Sequence, residues 1–416
     1  MIKKLFNCSV IDVEKGEILN NRVIIIKGDR IDFIGKENEI SKYNVDEEIN
    51  IKNNYVLPGL IDLHTHISFD GSPNSWYANL QKEKPGYRAI RAVNEVKKYL
   101  ENGITIIRDV GSVDYTDIAV RDAIKDGFAI GPTIFCSGPP LSITGGHGDV
   151  WVREDVKPVT LGYIVDGVDA VRRAARMIIR QGVDWIKIFV TGGIASEGDR
   201  PDFTQFSLDE LNACVQEARA AKRKVAVHAH GIKGIENAIK VGVDSIEHGS
   251  MLIENPELAL AMAQKGIALV PTLTVTNFIV KKGPEEGLPE FAIRKAEYLL
   301  TLHKESVKIA HKAGVLIATG TDAGYIVRHG ETAYELMYLT QVGLSNLEAI
   351  QAGTINAAKT LGIENYFGSV KPGKFADLLV LDLNPLDNIA AFMDKNRVKA
   401  VFKSGKLVIS RGIQFS

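Results

Sequence analysis

Short stretches near both ends of the chain have hydrophobic positions interrupted by Gly, Asn and Asp. These stretches are KLFNCSVIDV, NRVIIIKGDR and RIDFIGK near the N-terminus, and ADLLVLDLN and VKAVFKSGKLVIS near the C-terminus. Apolar runs bounded by turn residues are typical of β-strands and hairpins. We therefore predict one small β-sandwich domain that is built from both termini and covers residues 1–57 and 358–416.

Between these ends, residues 58–357 alternate short apolar runs with amphipathic helical stretches. The predicted strands are LIDLHTH, ITIIRDV, TIFCSG, WIKIFVTGG, KVAVHAH, DSIEHGS, IALVPTL and VLIATGTDAG. Eight strands, each followed by a helix or a loop, over roughly 300 residues indicate an α/β fold of the (β/α)8 TIM-barrel type. An open doubly wound sheet is the competing α/β fold, but no GxGxxG loop follows an early strand. Ser207 and Glu210 have the spacing of a capping box at the start of one predicted helix.

Composition restricts the class of partner. The 50 basic residues nearly balance the 51 acidic ones, which does not favour nucleic acid or an anionic membrane surface. The three scattered cysteines indicate reduced thiols. Asn7, Ser9 and Asp12 interrupt the N-terminal apolar stretch, so no signal peptide is predicted. We expect a cytoplasmic protein without nucleic-acid or membrane partners.

Polar side chains cluster at or near the C-terminal ends of the predicted barrel strands. They are His64, His66, Lys187, His228, His230, His248 and Asp322. In a TIM barrel those strand ends form the face that carries the active site. Five separate strands therefore direct candidate ligands to one mouth of the barrel.

The histidine spacing predicts a metal site. Because strand side chains alternate between faces, His64 and His66 lie on one face of their strand, and His228 and His230 repeat that spacing. Imidazole nitrogens and a carboxylate suit a divalent ion such as zinc. The chain holds nine histidines in all, and five of them occupy these strand ends.

Lys187 stands inside the apolar strand WIKIFVTGG. A buried ammonium is costly unless it is paired, neutralised or chemically changed. The alternative interpretation is a lysine that packs its stem and extends its amine to solvent at the strand end.

The motifs PGLIDLHTH, WIKIFVTGG, VHAH, IEHGS and GTDAG resemble those of the amidohydrolase superfamily, as do AGTINAAKTLG and GSVKPGKFADLLVLD. The segments RDVGS, SGPPLSITGGHG and KIFVTGG resemble its imidazolonepropionase-like branch, which contains prolidases, Xaa-Pro dipeptidases and carboxypeptidases for N-acyl amino acids or arginine. The resemblance covers essentially the whole chain. It implies hydrolysis of a carbon–nitrogen bond.

The resemblance also implies a ligand set. Two divalent ions, expected to be zinc, share a carboxylated Lys187 as the bridging ligand. The first ion is bound by His64, His66, Lys187 and Asp322, and the second by Lys187, His228 and His248. Whether His228 or His230 is the ligand from its strand stays open at this point.

Further roles follow from the same resemblance and from the surrounding residues. Asp322 is expected to carry the proton, and His147 to stabilise the developing oxyanion. His230, Arg328 and Tyr325 are candidate substrate contacts, beside His147. His329 is expected either to support the site or to hold its own loop. Minor candidates for the pocket are Lys233 and Trp151. We expect a salt bridge between Arg108 and Asp109, and solvated side chains at His303 and His311.

The favoured function is a binuclear amidase that cleaves a dipeptide, an N-acyl amino acid or a related amide. The alternative is a mononuclear cyclic-amide hydrolase or deaminase of the imidazolonepropionase type, which would not need Lys187. A non-catalytic binding protein on the same barrel is the third class. By analogy with the family, a homo-oligomer is expected.

Overall fold

The computed structural model describes residues 1–72, 76–150 and 152–415 of the chain. The strands are β1 (Ile2–Asp12), β2 (Glu17–Lys27), β3 (Arg30–Gly35), β4 (Glu47–Asn50), β5 (Tyr55–Pro58), β6 (Leu60–Thr65), β7 (Ile104–Asp109), β8 (Thr133–Cys136), β9 (Leu141–Ser142), β10 (Tyr163–Ile164), β11 (Trp185–Phe189), β12 (Lys224–Ala229), β13 (Ser245–His248), β14 (Ala268–Val270), β15 (Leu378–Leu381), β16 (Val398–Lys403), β17 (Lys406–Ser410) and β18 (Gln414–Phe415). The α-helices are α1 (Trp76–Lys82), α2 (Pro85–Glu101), α3 (Thr116–Lys125), α4 (Val168–Arg180), α5 (Leu208–Ala220), α6 (Ile232–Val241), α7 (Glu257–Lys265), α8 (Leu273–Lys282), α9 (Glu290–Lys312), α10 (Thr332–Gln341), α11 (Asn346–Ala352) and α12 (Ile355–Leu361).

The two ends of the chain form one sheet, as predicted. Its order is β17-β16-β15-β5-β1-β2-β3, with β4 pairing with both β1 and β18. The ends join where β5 and β15 pair antiparallel, with Leu57 opposite Leu379. Buried side chains from both ends, such as Ile24 and Phe402, share one core. The boundary at residue 358 stays a prediction, and α12 runs across it.

The central part of the chain is the expected barrel of parallel strands with helices outside. Strands β6, β7 and β8 pair in order, and β9, β11, β12, β13 and β14 follow in a second parallel set. The helices pack on them through one large apolar core that includes Ile178, Leu211 and Val227. The predicted capping box is present at the start of α5, where Ser207 and Glu210 bond reciprocally.

The eighth predicted strand, VLIATGTDAG, is not a regular strand. It touches its neighbours through isolated bridges, Ile317 with Leu269 of β14 and Ala323 with Thr65 of β6. The backbone departs from extended geometry at Asp322, whose φ is +60°. The segment nevertheless closes the barrel between β14 and β6, because its backbone N–H and carbonyl groups bond to both. The strand ends that carry the predicted polar side chains therefore meet at one mouth of the barrel.

Within the described residues, no helix has both the length and the apolar character that crossing a membrane requires.

Candidate metal centre

Two groups of three side chains meet at the C-terminal mouth of the barrel. One group is His64, His66 and Asp322, and the other is His228, His230 and His248. Within each group the potential ligand atoms lie within 4.8 Å of one another. The groups are adjacent, since the His64 and His248 rings are 5.0 Å apart. The tertiary fold therefore brings together the four histidines and the aspartate that the resemblance implies as ligands, together with His230, the open alternative to His228.

Hydrogen bonds orient the first group for a cation. His66 donates from Nδ1 to the carbonyl of Gly111 at 3.0 Å, and His64 donates from Nδ1 to Glu247 at 2.9 Å. In the neutral rings, Nε2 then carries a lone pair, and it faces the Asp322 carboxylate at 3.1 Å from His66 and 3.5 Å from His64. Two acceptors at this distance repel unless a proton or a metal ion lies between them. The donor set therefore fits a divalent cation.

The second group is held in the same way. His228 donates from Nε2 to the Gly192 carbonyl at 3.1 Å, which leaves its Nδ1 free. Nδ1 of His248 bonds to the Thr272 hydroxyl at 2.7 Å, and Nδ1 of His230 bonds to the Ser250 hydroxyl at 2.8 Å. Burial lowers the pKa of all three imidazoles well below the ordinary value. They therefore stay neutral, as metal ligands must.

The backbone at the site is strained at two of these positions. His248 and Asp322 have φ values of +69° and +60°, in the left-handed region that side chains other than glycine seldom adopt. Such strain persists where the surrounding structure imposes it, and it concentrates at functional sites.

Lys187 lies on β11 and its side chain is fully buried. Its Nζ has no hydrogen-bond partner among the described residues. Burial lowers the pKa of the amine to about 8, while the Glu247 and Asp322 charges oppose that shift. The interpretation in which the amine reaches solvent at a strand end is wrong, because the side chain does not leave the interior.

A buried ion pair supports the first histidine. Arg108 donates to Glu247 at 2.8 Å, to the Ser245 hydroxyl at 3.0 Å and to the Leu63 carbonyl at 2.7 Å. Burial by itself raises the pKa of Glu247, but the charge of Arg108 and the hydrogen bond from His64 lower it to about 2. Glu247 is therefore the anion that fixes the His64 ring.

The predicted salt bridge between Arg108 and Asp109 is wrong. Successive side chains of β7 point to opposite faces, so Arg108 meets Glu247 while Asp109 turns away from it. Asp109 accepts hydrogen bonds from the backbone N–H groups of Ile67 and Gly111. It thereby holds the segment that follows His66.

Replacing Glu247 tests this support. Glu247→Gln leaves the Arg108 guanidinium buried without a counter-charge, which costs about 3–5 kcal/mol in comparable pairs. We expect a loss of that size in the free energy of unfolding of the metal-free protein, measured by urea denaturation. The control is Glu236→Gln, which removes surface pairs with Lys233 and Lys240 and should change little. A loss below about 1 kcal/mol for Glu247→Gln would contradict the role of the buried pair.

His147 lies beside the second group, with its ring stacked on that of His228 at 4.4 Å. Its Nδ1 bonds to the Ser196 hydroxyl at 2.8 Å. Burial lowers the pKa of His147, and the charges of Asp199 and Asp322 oppose the shift. His147, His230 and Tyr325 all line the cleft above the two groups.

The remaining candidates do not join this cluster. Arg328 is exposed and is absent from the cleft lining, and Lys233 pairs with Glu236 on the surface. His329 donates from Nε2 to the Phe69 carbonyl at 2.7 Å, and its Nδ1 bonds to Tyr99. It therefore ties two loops together at the barrel mouth. Trp151 lies outside the described residues.

The prediction of a solvated His303 is wrong. Its side chain is fully buried on α9, with Nδ1 3.2 Å from the Thr276 hydroxyl, and burial lowers its pKa to about 4. The polar neighbours of His303 in sequence lie on the other faces of a helix whose inner face packs on the barrel. His311 is half-buried and pairs with Glu348 at 2.9 Å.

Asp62 is a supporting residue that the sequence analysis missed. It accepts hydrogen bonds from the backbone of His64 and Thr321 and from the hydroxyls of Thr321 and Thr332. These bonds join β6 to the segment that carries Asp322. The sequence feature that could have identified Asp62 is its two-residue spacing from His64, which repeats between His64 and His66 and puts all three side chains on one face of the strand.

The cleft above the histidines contains about 520 Å³ of empty space, part of which is open to solvent. Apolar side chains form much of its lining, namely Leu161, Phe189, Ile194, Val275 and Ile279. Among the described residues that line it, Asp322 is the one acidic side chain, and no lysine or arginine is present. A concave apolar pocket with a few convergent polar groups suits a small organic substrate.

Comparison with known proteins gives a consistent result. The model of the amidohydrolase family matches residues 55–408. Ochratoxinase of Aspergillus niger is 36% identical over 417 residues, covering 96% of this chain and 85% of its own. A crystal structure of a Xaa-Pro dipeptidase with methionine bound in the active site has a TM-score of 0.90 at 33% identity, covering 98% of this chain and 99% of that one.

Imidazolonepropionase of Fusobacterium nucleatum is 23% identical over 440 residues, covering 98% of this chain and 95% of its own. The predicted resemblance and the predicted fold are thus both confirmed. The chain belongs to the amidohydrolase family, and it is a hydrolase that acts on carbon–nitrogen bonds.

Proposed function

We propose that the protein is a binuclear metal-dependent amidase that cleaves a dipeptide, an N-acyl amino acid or a related small amide. The observation that carries this proposal is the Lys187 amine, which is fully buried and has no hydrogen-bond partner among the described residues. Burial lowers the pKa of the His64 and His248 rings, and the amine lies close enough to both for its charge to lower that pKa further. Conversion of the amine to a carbamate would replace a costly buried cation by an anionic oxygen ligand. A mononuclear cyclic-amide hydrolase or deaminase would leave Lys187 without that explanation.

We assign the ligands as the sequence predicts them. His64, His66, carboxylated Lys187 and Asp322 would hold one ion, and carboxylated Lys187, His228 and His248 the other. His230 lies close enough to His228 and His248 to be an alternative ligand. Imidazole-rich sites suit zinc. When bound, such a pair of ions supplies an activated water near neutral pH and polarises a carbonyl.

The side chains of the protein perform the proton transfers and the positioning. Asp322 accepts a proton from the attacking water and returns it to the amine nitrogen as the carbon–nitrogen bond breaks. His147, His230 and Tyr325 line the cleft, and the two histidines would contact the substrate oxygen. Burial lowers the pKa of His147 while the Asp199 charge opposes that shift. In its protonated form, His147 would offer an N–H to the negative oxygen of the tetrahedral intermediate. Arg328, which is exposed and does not line the cleft, would contact a substrate carboxylate that extends out of the cleft.

The test combines metal content with a substrate screen. Protein purified without chelators, with bicarbonate present, is analysed for bound metal per chain and assayed with dipeptides and N-acetyl amino acids. About two ions per chain and hydrolysis of such an amide are expected. One ion per chain, together with activity on a cyclic amide, would move the assignment to the mononuclear alternative.

The cleft lining predicts which side chains the enzyme accepts. Burying a charged side chain against Val275, Ile279 and Ile194 without a partner carries a desolvation cost of several kcal/mol. We expect kcat/KM for N-acetylmethionine to exceed that for N-acetyllysine, which has a similar length, by at least about 100-fold. Ile279→Asp should reduce that ratio, whereas Ile279→Leu should preserve it. Equal rates for the two substrates with the unchanged enzyme would contradict the prediction.

Activation of the metal-free protein should depend on pH. Carbamate forms from the neutral amine, and the pKa of Lys187 is lowered to about 8 from an ordinary value of 10.5. The neutral fraction therefore falls about tenfold for each pH unit below 8 and levels off above it. At constant dissolved carbon dioxide, the rate of activation by zinc should rise from pH 6 to 8 and flatten near pH 9. A rate that is independent of both pH and carbon dioxide would contradict the carbamate.

We also propose that the protein works in the cytoplasm, as a homo-oligomer, and without nucleic-acid or membrane partners. The near balance of 50 basic and 51 acidic residues supports the last part. Size-exclusion chromatography with light scattering measures the oligomeric state directly.

A further inference from the structure

We infer that Asp199 is a positioning residue that sets the His147 ring against the substrate; this inference rests on the proposed function. Asp199 lies in the loop after β11 and is absent from the lining of the cleft. Its side chain is nevertheless only 4% exposed. Two separate hydrogen-bond routes run from its carboxylate to His147.

The first route reaches the imidazole. The Ser196 hydroxyl donates its proton to Oδ1 of Asp199, and the same hydroxyl oxygen lies 2.8 Å from Nδ1 of His147. Because that hydroxyl has a single proton, its oxygen must accept the Nδ1–H of His147. The ring therefore presents Nε2, and not Nδ1, to the cleft.

The second route reaches the main chain. Gln205 donates from Nε2 to Oδ2 of Asp199 at 3.2 Å, and its Oε1 accepts from the backbone N–H of His147 at 3.1 Å. One carboxylate thus determines both the location of the His147 backbone and the rotation of its side chain.

A half-buried cation balances and fixes this carboxylate. Lys295 of α9 lies 3.2 Å from Oδ1 of Asp199, and it also donates to the carbonyls of Gly193 and Ser196. The Gly193 N–H donates to Oδ2 of Asp199 at 3.1 Å. The loop after β11 is therefore attached to α9 through the same charge pair.

The His147 ring lies directly on the backbone of this loop. A Cβ atom at Gly193 would come within 2.1 Å of Cε1 of His147. The loop backbone therefore packs against one side of the His147 ring. Asp199 bonds both to this loop and, through Ser196, to the ring. Supporting hydrogen bonds of this type keep catalytic groups within about 0.5 Å of the productive geometry.

The experiment uses three changes in the full-length, metal-loaded enzyme. Ser196→Ala removes the link to the imidazole but keeps the pair of Asp199 and Lys295, so it avoids leaving a lysine unpaired. Asp199→Asn removes the anchor of both routes. We expect kcat to fall by about 10- to 100-fold in each, with KM changed little, because the interaction with His147 acts in the transition state. Ser196→Thr keeps a hydroxyl and should restore most of the rate.

The matched control is Asp202→Asn, three residues further along the same loop. Asp202 pairs with Arg200 at the surface, and its side chain is 38% exposed. We expect an unchanged kcat. An equal loss in Asp202→Asn and Asp199→Asn would overturn the inference, since it would indicate a general effect of the loop.

A double-mutant cycle separates positioning from a merely structural role. If Asp199 acts through His147, Asp199→Asn should lower kcat by less than about twofold when His147→Ala is already present. A full additional loss in that background would overturn the inference.

A second readout does not need activity. Long-range ¹H–¹⁵N spectra of the histidine side chains, with His147 assigned through His147→Ala, should show a proton on Nδ1 that Ser196→Ala changes. Absence of that proton in the unchanged protein would overturn the inference. If no amide is hydrolysed but the tautomer is as described, the proposed function fails while the positioning by Asp199 stands.

Discussion

Lys187→Met is expected to lower kcat/KM by more than about 10³-fold and to reduce bound metal from about two ions per chain to one or fewer. Methionine has a similar length and fills the apolar surroundings of a side chain that is fully buried. It cannot form a carbamate, so the shared ligand of the two ions is lost. Metal content is measured on the purified protein, and activity on the best substrate of the amide screen.

Lys224→Met is the matched control for this change. Lys224 begins the neighbouring strand β12, and its amine donates to the Thr360 carbonyl at 2.6 Å, away from the candidate metal centre. That variant should keep its metal and its activity. If Lys187→Met also kept about two ions and full activity, the carbamate-bridged mechanism would be wrong.

Asp322→Asn is expected to lower kcat by about 10²- to 10⁴-fold, the range that general acid–base groups contribute. The backbone of Asp322 has φ +60°. Asparagine tolerates this left-handed conformation, whereas alanine would add a strain of about 1–2 kcal/mol. The asparagine variant therefore isolates the loss of the carboxylate from any strain in the chain. The rate is measured at saturating substrate.

Asp114→Asn provides the control, because Asp114 is another aspartate in the left-handed region, with φ +53°. Its carboxylate pairs with Arg88 at 2.7 Å and does not line the cleft. We expect its kcat to match that of the unchanged enzyme. Comparable activity in Asp322→Asn would show that Asp322 does not carry the proton.

Most of the fold was predictable from the sequence because strand and helix periods are local properties. The two-residue period identifies β6 and β12 and puts the histidine pairs of each on one face. The eighth strand is less regular than predicted. Its apolar residues follow the pattern of a β-strand, but the left-handed backbone at Asp322 interrupts the hydrogen-bonded pairing with the neighbouring strands. The exposure of His303 was also predicted wrongly. Its polar neighbours in sequence do not reveal which face of α9 packs inward.

The partners of the candidate ligands were not predictable in the same way. His64 meets Glu247 across 183 positions of sequence, and Arg108 meets Glu247 across 139. No periodicity relates such residues, because their distance depends on how many strands separate them around the closed barrel. The predicted pair of Arg108 and Asp109 rested only on their being neighbours in sequence. The alternation of side chains between the two faces of β7 excludes that pair.

By itself, the sequence determined the class of fold, the barrel face that carries the polar side chains, and the residue types able to bind metal. Spacing along single strands suffices for these, since it decides which side chains share a face. The tertiary structure decided which ring nitrogen of each histidine is free. It also decided that the buried Lys187 amine has no hydrogen-bond partner among the described residues, and that Ser196 links Asp199 to His147. Those features depend on hydrogen bonds between distant segments, which exist only once the barrel has closed.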